Sequence, residues 1–229
     1  MEEEMKTRNR LVDCLIIISL LGLLTIIFMP TMFPMQYTSN GEVSRWGNKN
    51  EFFIYWLIPV VFGIVSKASI ACRRKKQRLS ASEYLRNEKP LLTSTIFFML
   101  FFDIIIGYII IRGFVPLSTG TPPSSFHFIN VSIGMTGILL AAAGNYMPKV
   151  EYNSMIGFKN TWSTANERSW QLTHRWVGRL IVFFGFALIV FAVLSVNQPF
   201  SGVLFLTIVL LLVAFSFVLS YIAYQKTKQ

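Results

Sequence analysis

Charge is scarce in this chain. Only 14% of its 229 residues are Asp, Glu, Lys or Arg, against 53% hydrophobic and 15% aromatic. So little polar surface cannot coat a globule in water, and most of the apolar surface must face lipid. Cysteine and histidine are rarer still, at two each. Cys14 and Cys72 form no metal or redox motif, and both fall near the face that the charge pattern makes cytoplasmic and reducing, so a structural disulfide is not expected. His127 and His174 fall on opposite predicted membrane faces and cannot share a metal. HExxH, CxxC, GxSxG and a glycine-rich phosphate loop after a strand are all missing, as is a pair of intramembrane carboxylates. Enzymatic chemistry, a cofactor and a bound metal are therefore not expected.

Long apolar runs are what the chain has instead. Six are long enough to cross the hydrocarbon core as helices: Leu11–Met29, Phe52–Ala71, Leu91–Ile111, Ser125–Gly144, Leu180–Val196 and Val203–Tyr224. The first ends in Phe28-Met29-Pro30 rather than in small residues, which reads as a retained span and not as a signal peptide. The fourth is rich in Gly, Ala, Ser and Thr, the residues that let helix backbones approach closely in lipid. The intervening polar segments are a Pro/Asn/Gly loop over 30–51, a basic loop over 72–90, a Pro/Ser/Thr loop over 112–124, and the longest, over 145–179.

The net charge of +10 follows from topology. Six spans put both termini on one side. The segments on that side carry 17 Lys/Arg, and those on the other carry only Arg45, Lys49 and Arg112. The positive-inside rule makes the richer side cytoplasmic. The expected fold is an all-α integral membrane protein with six transmembrane helices, cytoplasmic termini and a cytoplasmic interfacial helix before the fifth span. Its expected location is a plasma membrane. No nucleic acid is needed to explain the charge, and the basic loop 73–89 is expected to meet anionic lipid headgroups.

Two places carry unusual polarity. Asp103 lies inside the third span, where a carboxylate must be paired, hydrated or protonated. His127 and Arg112 are its candidate partners, and either a ligand or proton site or a structural hydrogen bond would account for it. Lys67, near the inner end of the second span, reads as a snorkelling lysine. In the 145–179 segment, Thr164-Ala165-Asn166-Glu167 fits a capping box, and the helix it predicts has Asn166, Trp170, Thr173 and Val177 on one side and Arg168, Arg175 and Arg179 away from it. Trp162, Trp170 and Trp176 would then anchor that helix at the interface.

The ordered string Gly144-Asn145-Tyr146-Met147-Pro148-Lys149, then Asn153, Ile156-Gly157, Lys159, Trp162, Trp170, Thr173-His174-Arg175 and Gly178 resembles the signature of the SdpI family of bacterial membrane immunity proteins. Lys159 stands where the family usually has Arg, and Asn160-Thr161 replace its Thr-Pro, so a guanidinium-specific contact would not transfer. The loop over 30–51 resembles part of a domain of unknown function often found before that family, through Pro34, Asn40, Gly41, Glu42 and Lys49, with Gln36 in place of the usual His. The resemblance implies an N-terminal two-span region over 1–90 and an SdpI-like four-span region over 91–229. It further implies protection against a secreted antimicrobial peptide or protein toxin, with signalling through a transcriptional repressor held at the membrane. Candidate binding residues are Asn145, Pro148, Asn153, Gly157, Lys159, Trp162, Trp170 and His174, with the outer-loop residues above as toxin contacts. A small-solute or proton-coupled permease using Asp103, and a structural assembly protein, are the alternatives.

Overall fold

The computed structural model describes residues 2–37, 43–76, 81–119, 128–152, 154, 156–194 and 202–228. The chain is mostly helical and forms two compact units, Met1–Phe128 and Ile129–Gln229. Five stretches among the described residues are long and apolar enough to cross a membrane: Glu3–Phe28, Lys49–Lys75, Glu88–Ile111, Glu167–Leu194 and Leu206–Thr227.

In the first unit α1 (Glu2–Gly22), α3 (Phe52–Lys76) and α4 (Ala81–Thr119) pack pairwise, and the short α2 (Thr25–Phe28) follows α1. One core cluster gathers Val12, Leu15, Ile70, Leu92 and Met99, and Gly63 lets Ile16 and Met99 approach the α3 backbone. The other gathers Met29, Phe33, Phe52, Trp56, Ile106 and Ile110. Lys67 does not snorkel alone: it pairs with Asp13 across α1 and α3. Glu88 takes Arg74 in a two-bond fork of 2.8 and 2.5 Å, and Glu4 takes Arg8 at 2.9 Å and Lys89 at 3.0 Å. Two of the cations expected to face lipid headgroups, Arg74 and Lys89, are thus held by acids of the chain itself.

The expected polar loop over 30–51 contains an antiparallel hairpin of β1 (Met32–Tyr37) and β2 (Val43–Asn48). Phe33 turns inward and is fully buried, meeting Phe52 edge-on at 5.4 Å and Phe114 at 5.6 Å. The base is closed by Lys49 N–H on Thr31 O (3.0 Å) and by a capping box in which Asn48 and Glu51 exchange hydrogen bonds. The hairpin needs its neighbours, since an isolated two-stranded ribbon is marginal in water. The same contacts correct a second expectation: the helix expected to stop at Ile111 continues to Thr119, with Phe114 packed on the hairpin.

In the second unit α5 (Phe128–Tyr146) lies antiparallel against α6 (Glu167–Leu194), and α6 packs on α7 (Gly202–Thr227). The small residues of α5 serve this approach. A Cβ on Gly137 would lie 2.6 Å from Gly185 O, and one on Gly144 would lie 2.6 Å from Gly178 O. Seven residues separate the two glycines on each helix, so the contacts repeat two turns apart. Asn130 Nδ2 donates to Ala192 O (3.3 Å) at the far end.

The helix expected to begin at the capping signal does so, and it continues unbroken into the fifth span as α6. Its cap is different. Asn166 Oδ1 accepts from Ser169 N–H at 2.7 Å, whereas Thr164 Oγ1 donates backward to Asn160 O at 2.8 Å. Asn outcompetes Thr as a cap, and Asn166 is one residue from the helix start where a cap must be.

Candidate functional site

The segment from Met147 to Asn166 folds back over the first turns of α6. Met147–Lys149 forms one 3-10 turn, with Pro148 supplying its fixed φ early in the turn. At the centre is Trp170, completely buried. Its Nε1–H donates to Val150 O (3.0 Å), and Tyr152 meets it edge-on at 5.9 Å while the Tyr152 hydroxyl donates to Thr164 O (3.0 Å). One turn on, the His174 ring stacks on Trp170 at 3.9 Å between centroids.

His174 is also fully buried and uses both ring nitrogens. Nε2 accepts from Phe158 N–H (3.1 Å), so Nδ1 carries the ring proton and donates to Trp170 O (2.9 Å). The imidazole is therefore neutral and clamps the loop to the helix. A positively charged ring would point an N–H at the Phe158 N–H.

Gly157 makes the clamp fit. Its φ of +148° is left-handed backbone, and a Cβ there would lie 2.5 Å from His174 Nε2 and 2.9 Å from Trp170. The loop backbone lies directly on the Trp–His stack.

Asn160 organises the rest. Its Oδ1 accepts from Ser163 N–H (2.7 Å) and from the Ser220 hydroxyl of α7 (2.9 Å), and its carbonyl accepts from the Thr164 hydroxyl (2.8 Å). Thr173 Oγ1 approaches Ser220 at 3.5 Å. Ser169 Oγ donates to Trp162 O (2.8 Å), and the Trp162 ring meets Tyr221 edge-on at 5.2 Å. Loop, α6 and α7 are thereby joined through four polar side chains.

The structure thus divides the sequence-derived candidates. Trp170, His174, Gly157 and Trp162 come together in this framework, so Trp170 is core and not an interfacial anchor. Asn145, Pro148 and Lys159 are exposed, as are Arg168, Arg175 and Arg179 on the far side of α6. Pro34 is fully buried in the hairpin, and Lys49 Nζ donates to Met29 O (3.1 Å), so both act within the fold. Asn40, Gly41, Glu42, His127 and Asn153 lie outside the described residues. Asp103 is met by Ser19 of α1 through Oδ1 (2.8 Å), a partner that sequence reasoning missed. Asn160, Tyr152 and Ser220 were missed as well. Asn160 with a hydroxyl three residues on is an Asx-turn signal, but Ser220 lies 60 residues away and carries none.

Among the described residues no group of three or more His, Cys, Asp or Glu side chains could hold a metal. The site has the chemistry of a packed, hydrogen-bonded framework that presents exposed basic residues around it.

Residues 149–222 match the model of the SdpI/YfhL protein family. Over 96 residues the chain is 31% identical to the protein named "Immunity protein SdpI" of Bacillus subtilis (strain 168). That match covers 42% of this chain and 44% of the relative's length, so the chain aligns with less than half of it. No solved structure matches.

Proposed function

We propose that this chain, whose residues 149–222 match the SdpI/YfhL family model, is a multi-pass immunity protein of the bacterial cell membrane that protects its cell against a secreted antimicrobial peptide or protein toxin. The observation that carries the reading is the agreement between the matched span and the framework. Residues 149–222 include every side chain of the Trp170–His174–Asn160–Ser220 network. A surface proposed to work in recognition or relay is thus held by side chains whose geometry is over-determined.

Six spans with cytoplasmic termini are part of the proposal, α5 being the sixth crossing. The hairpin then faces outward, where a secreted toxin arrives, and the Met147–Asn166 loop faces the cytoplasm. Exposed Trp46 and Arg45 of β2 replace the buried Pro34 and the half-buried Lys49 as the hairpin residues proposed to meet the toxin. A second reading, signalling through a captured cytoplasmic repressor, is favoured by the exposed Lys159, Arg168, Arg175 and Arg179. Anionic headgroups are the proposed partners of Arg73 and Lys75, which are exposed beside the paired Arg74.

Survival of a toxin-sensitive bacterium expressing the protein, challenged with the secreted peptides encoded beside its gene, tests the function. Protection is expected against at least one; protection against none sinks the immunity reading. Topology has its own test. With Cys14 and Cys72 replaced by serine, Ser44→Cys is expected to react with an impermeant maleimide on intact cells, and Lys159→Cys only after permeabilisation. The reverse pattern would invert the orientation. Asp103→Asn separates immunity from the permease rival: the amide keeps the shape and the Ser19 contact but carries no proton cycle, so protection is expected to persist. Loss of protection by a variant at normal membrane abundance would favour proton coupling.

A further inference from the structure

The core of the first unit holds polar atoms at hydrocarbon depth. Ser19 is fully buried, and its hydroxyl lies 2.9 Å from Leu15 O and 2.8 Å from Asp103 Oδ1. A hydroxyl has one proton, so it serves one acceptor at a time. The other carboxyl oxygen, Asp103 Oδ2, is buried without a protein partner. So is the Nε1–H of Trp56, a residue only 5% exposed.

Both orphaned side chains pack on α1. Ser19 touches Asp103, and Gly22, three residues along α1, is covered by the Trp56 ring, 2.6 Å from where a Cβ would be. Residues three apart lie on one helix face. On α4, Ile106 lies three residues beyond Asp103 and belongs to the same core cluster as Trp56. The Trp56 ring and the Asp103 carboxyl thus pack on one α1 face within about a helical turn of each other. The nearest ion pair on these helices, Lys67–Asp13, is anchored six residues from Ser19 along α1, about 9 Å away.

The group that satisfies both orphans must accept from the indole and hydrogen-bond to the carboxyl. A metal cation cannot accept an N–H, and an anion would oppose the carboxyl oxygen. Water does both, and buried water is the usual partner of such paired orphans. We infer that a water molecule is bound between Asp103 Oδ2 and Trp56 Nε1, making Ser19–Asp103–Trp56 a hydrated polar site inside the membrane portion of the first unit. The site gives Asp103 a structural setting that involves no transport path, and it ties α1, α3 and α4 together at mid-depth.

Water-edited solid-state NMR of the full chain in lipid bilayers, with ¹⁵N-tryptophan and the Trp56→Phe variant for assignment, tests this. The Trp56 indole should receive water magnetisation at a rate near that of exposed Trp46, despite its burial. Trp170, whose indole donates to Val150 O, should receive none. Asp103→Leu should abolish the Trp56 transfer, with the indole resonance of Trp46 in the same unit unshifted as proof of folding, while Asp103→Asn and Ser19→Ala should keep it. Absence of transfer in the unmodified protein, the result a direct Trp56–Asp103 bond would give, overturns the inference; so does transfer that survives Asp103→Leu. If the leucine variant does not fold, the unmodified protein still decides.

Discussion

Trp170→Ala will lower the stability of the second unit by about 3–5 kcal/mol, the range for removing a large aromatic from a packed core. Three losses combine. The ring is fully buried and carries contacts to Tyr152, His174 and Gly157, all of which face a cavity once it is gone. Val150 O loses its donor in a place water does not readily reach. The His174 ring loses the surface it stacks on. Trp170→Phe separates these terms: most of the packing remains, and the orphaned Val150 carbonyl leaves a cost of about 1–3 kcal/mol. Arg175→Ala, exposed on the opposite side of the same helix, should stay within about 0.5 kcal/mol. Thermal unfolding of the purified protein in one detergent ranks the three. Equal destabilisation by Trp170→Ala and Arg175→Ala would remove Trp170 from the centre of the framework.

This ranking bears on how survival data are read. Loss of protection in Trp170→Ala follows from a collapsed loop whether or not the loop touches a partner. Lys159 is the better probe of contact, since its side chain is exposed while the neighbouring Phe158 and Asn160 are fixed by His174 and Ser220. Lys159→Ala should leave the melting temperature unchanged. Lost protection in that variant would make the exposed face functional, and retained protection would reduce it to a solvated charge.

Helix existence was legible in the sequence because each apolar run is long and nearly unbroken. Helix ends were less so. Helix α4 outruns its apolar core by eight residues, Arg112 to Thr119, since Phe114 finds Phe33 across 80 residues of sequence, and no local pattern announces that meeting. The hairpin was hidden for a related reason: its strands are short, and one carries Pro34, which argues against a strand unless its nitrogen faces an edge. In the candidate site, the face shared by Trp170, Thr173 and Val177 followed from helical spacing, and all three are buried. The role of that face did not follow, because a tryptophan beside basic residues reads equally well as an anchor at a membrane surface. Burial decides between them, and burial comes from a loop that folds back. Asn160 shows the same limit. It stood out only as a departure from the family pattern, yet its carboxamide joins the turn to α7.

Gly157→Ala is the most economical test of the loop, because one methyl group meets two obstacles. The backbone at φ +148° is costly for any L side chain, of order 1–3 kcal/mol. The added carbon would also sit 2.5 Å from His174 Nε2 and 2.9 Å from the Trp170 ring, and crowding in a packed core costs about 1–3 kcal/mol more. The loop can escape only by lifting, which breaks the Phe158 N–H bond to His174. The expected signature is therefore local: faster amide exchange at Phe158 and around Asn160, with α5 and α6 still joined at Gly144 and Gly178. His174→Ala removes the nearer of the two clashes but leaves the Trp170 contact and the backbone strain. In a double-mutant cycle the two substitutions should cost less together than the sum of their separate effects, and the difference measures what Gly157 and His174 share, the clash and the Phe158 bond. His174→Gln adds a control, since its Oε1 can take the Phe158 N–H and should preserve more of the loop than alanine does. Additive costs for Gly157→Ala and His174→Ala would mean that the glycine serves the backbone conformation alone, and that the loop does not rest on the Trp–His stack.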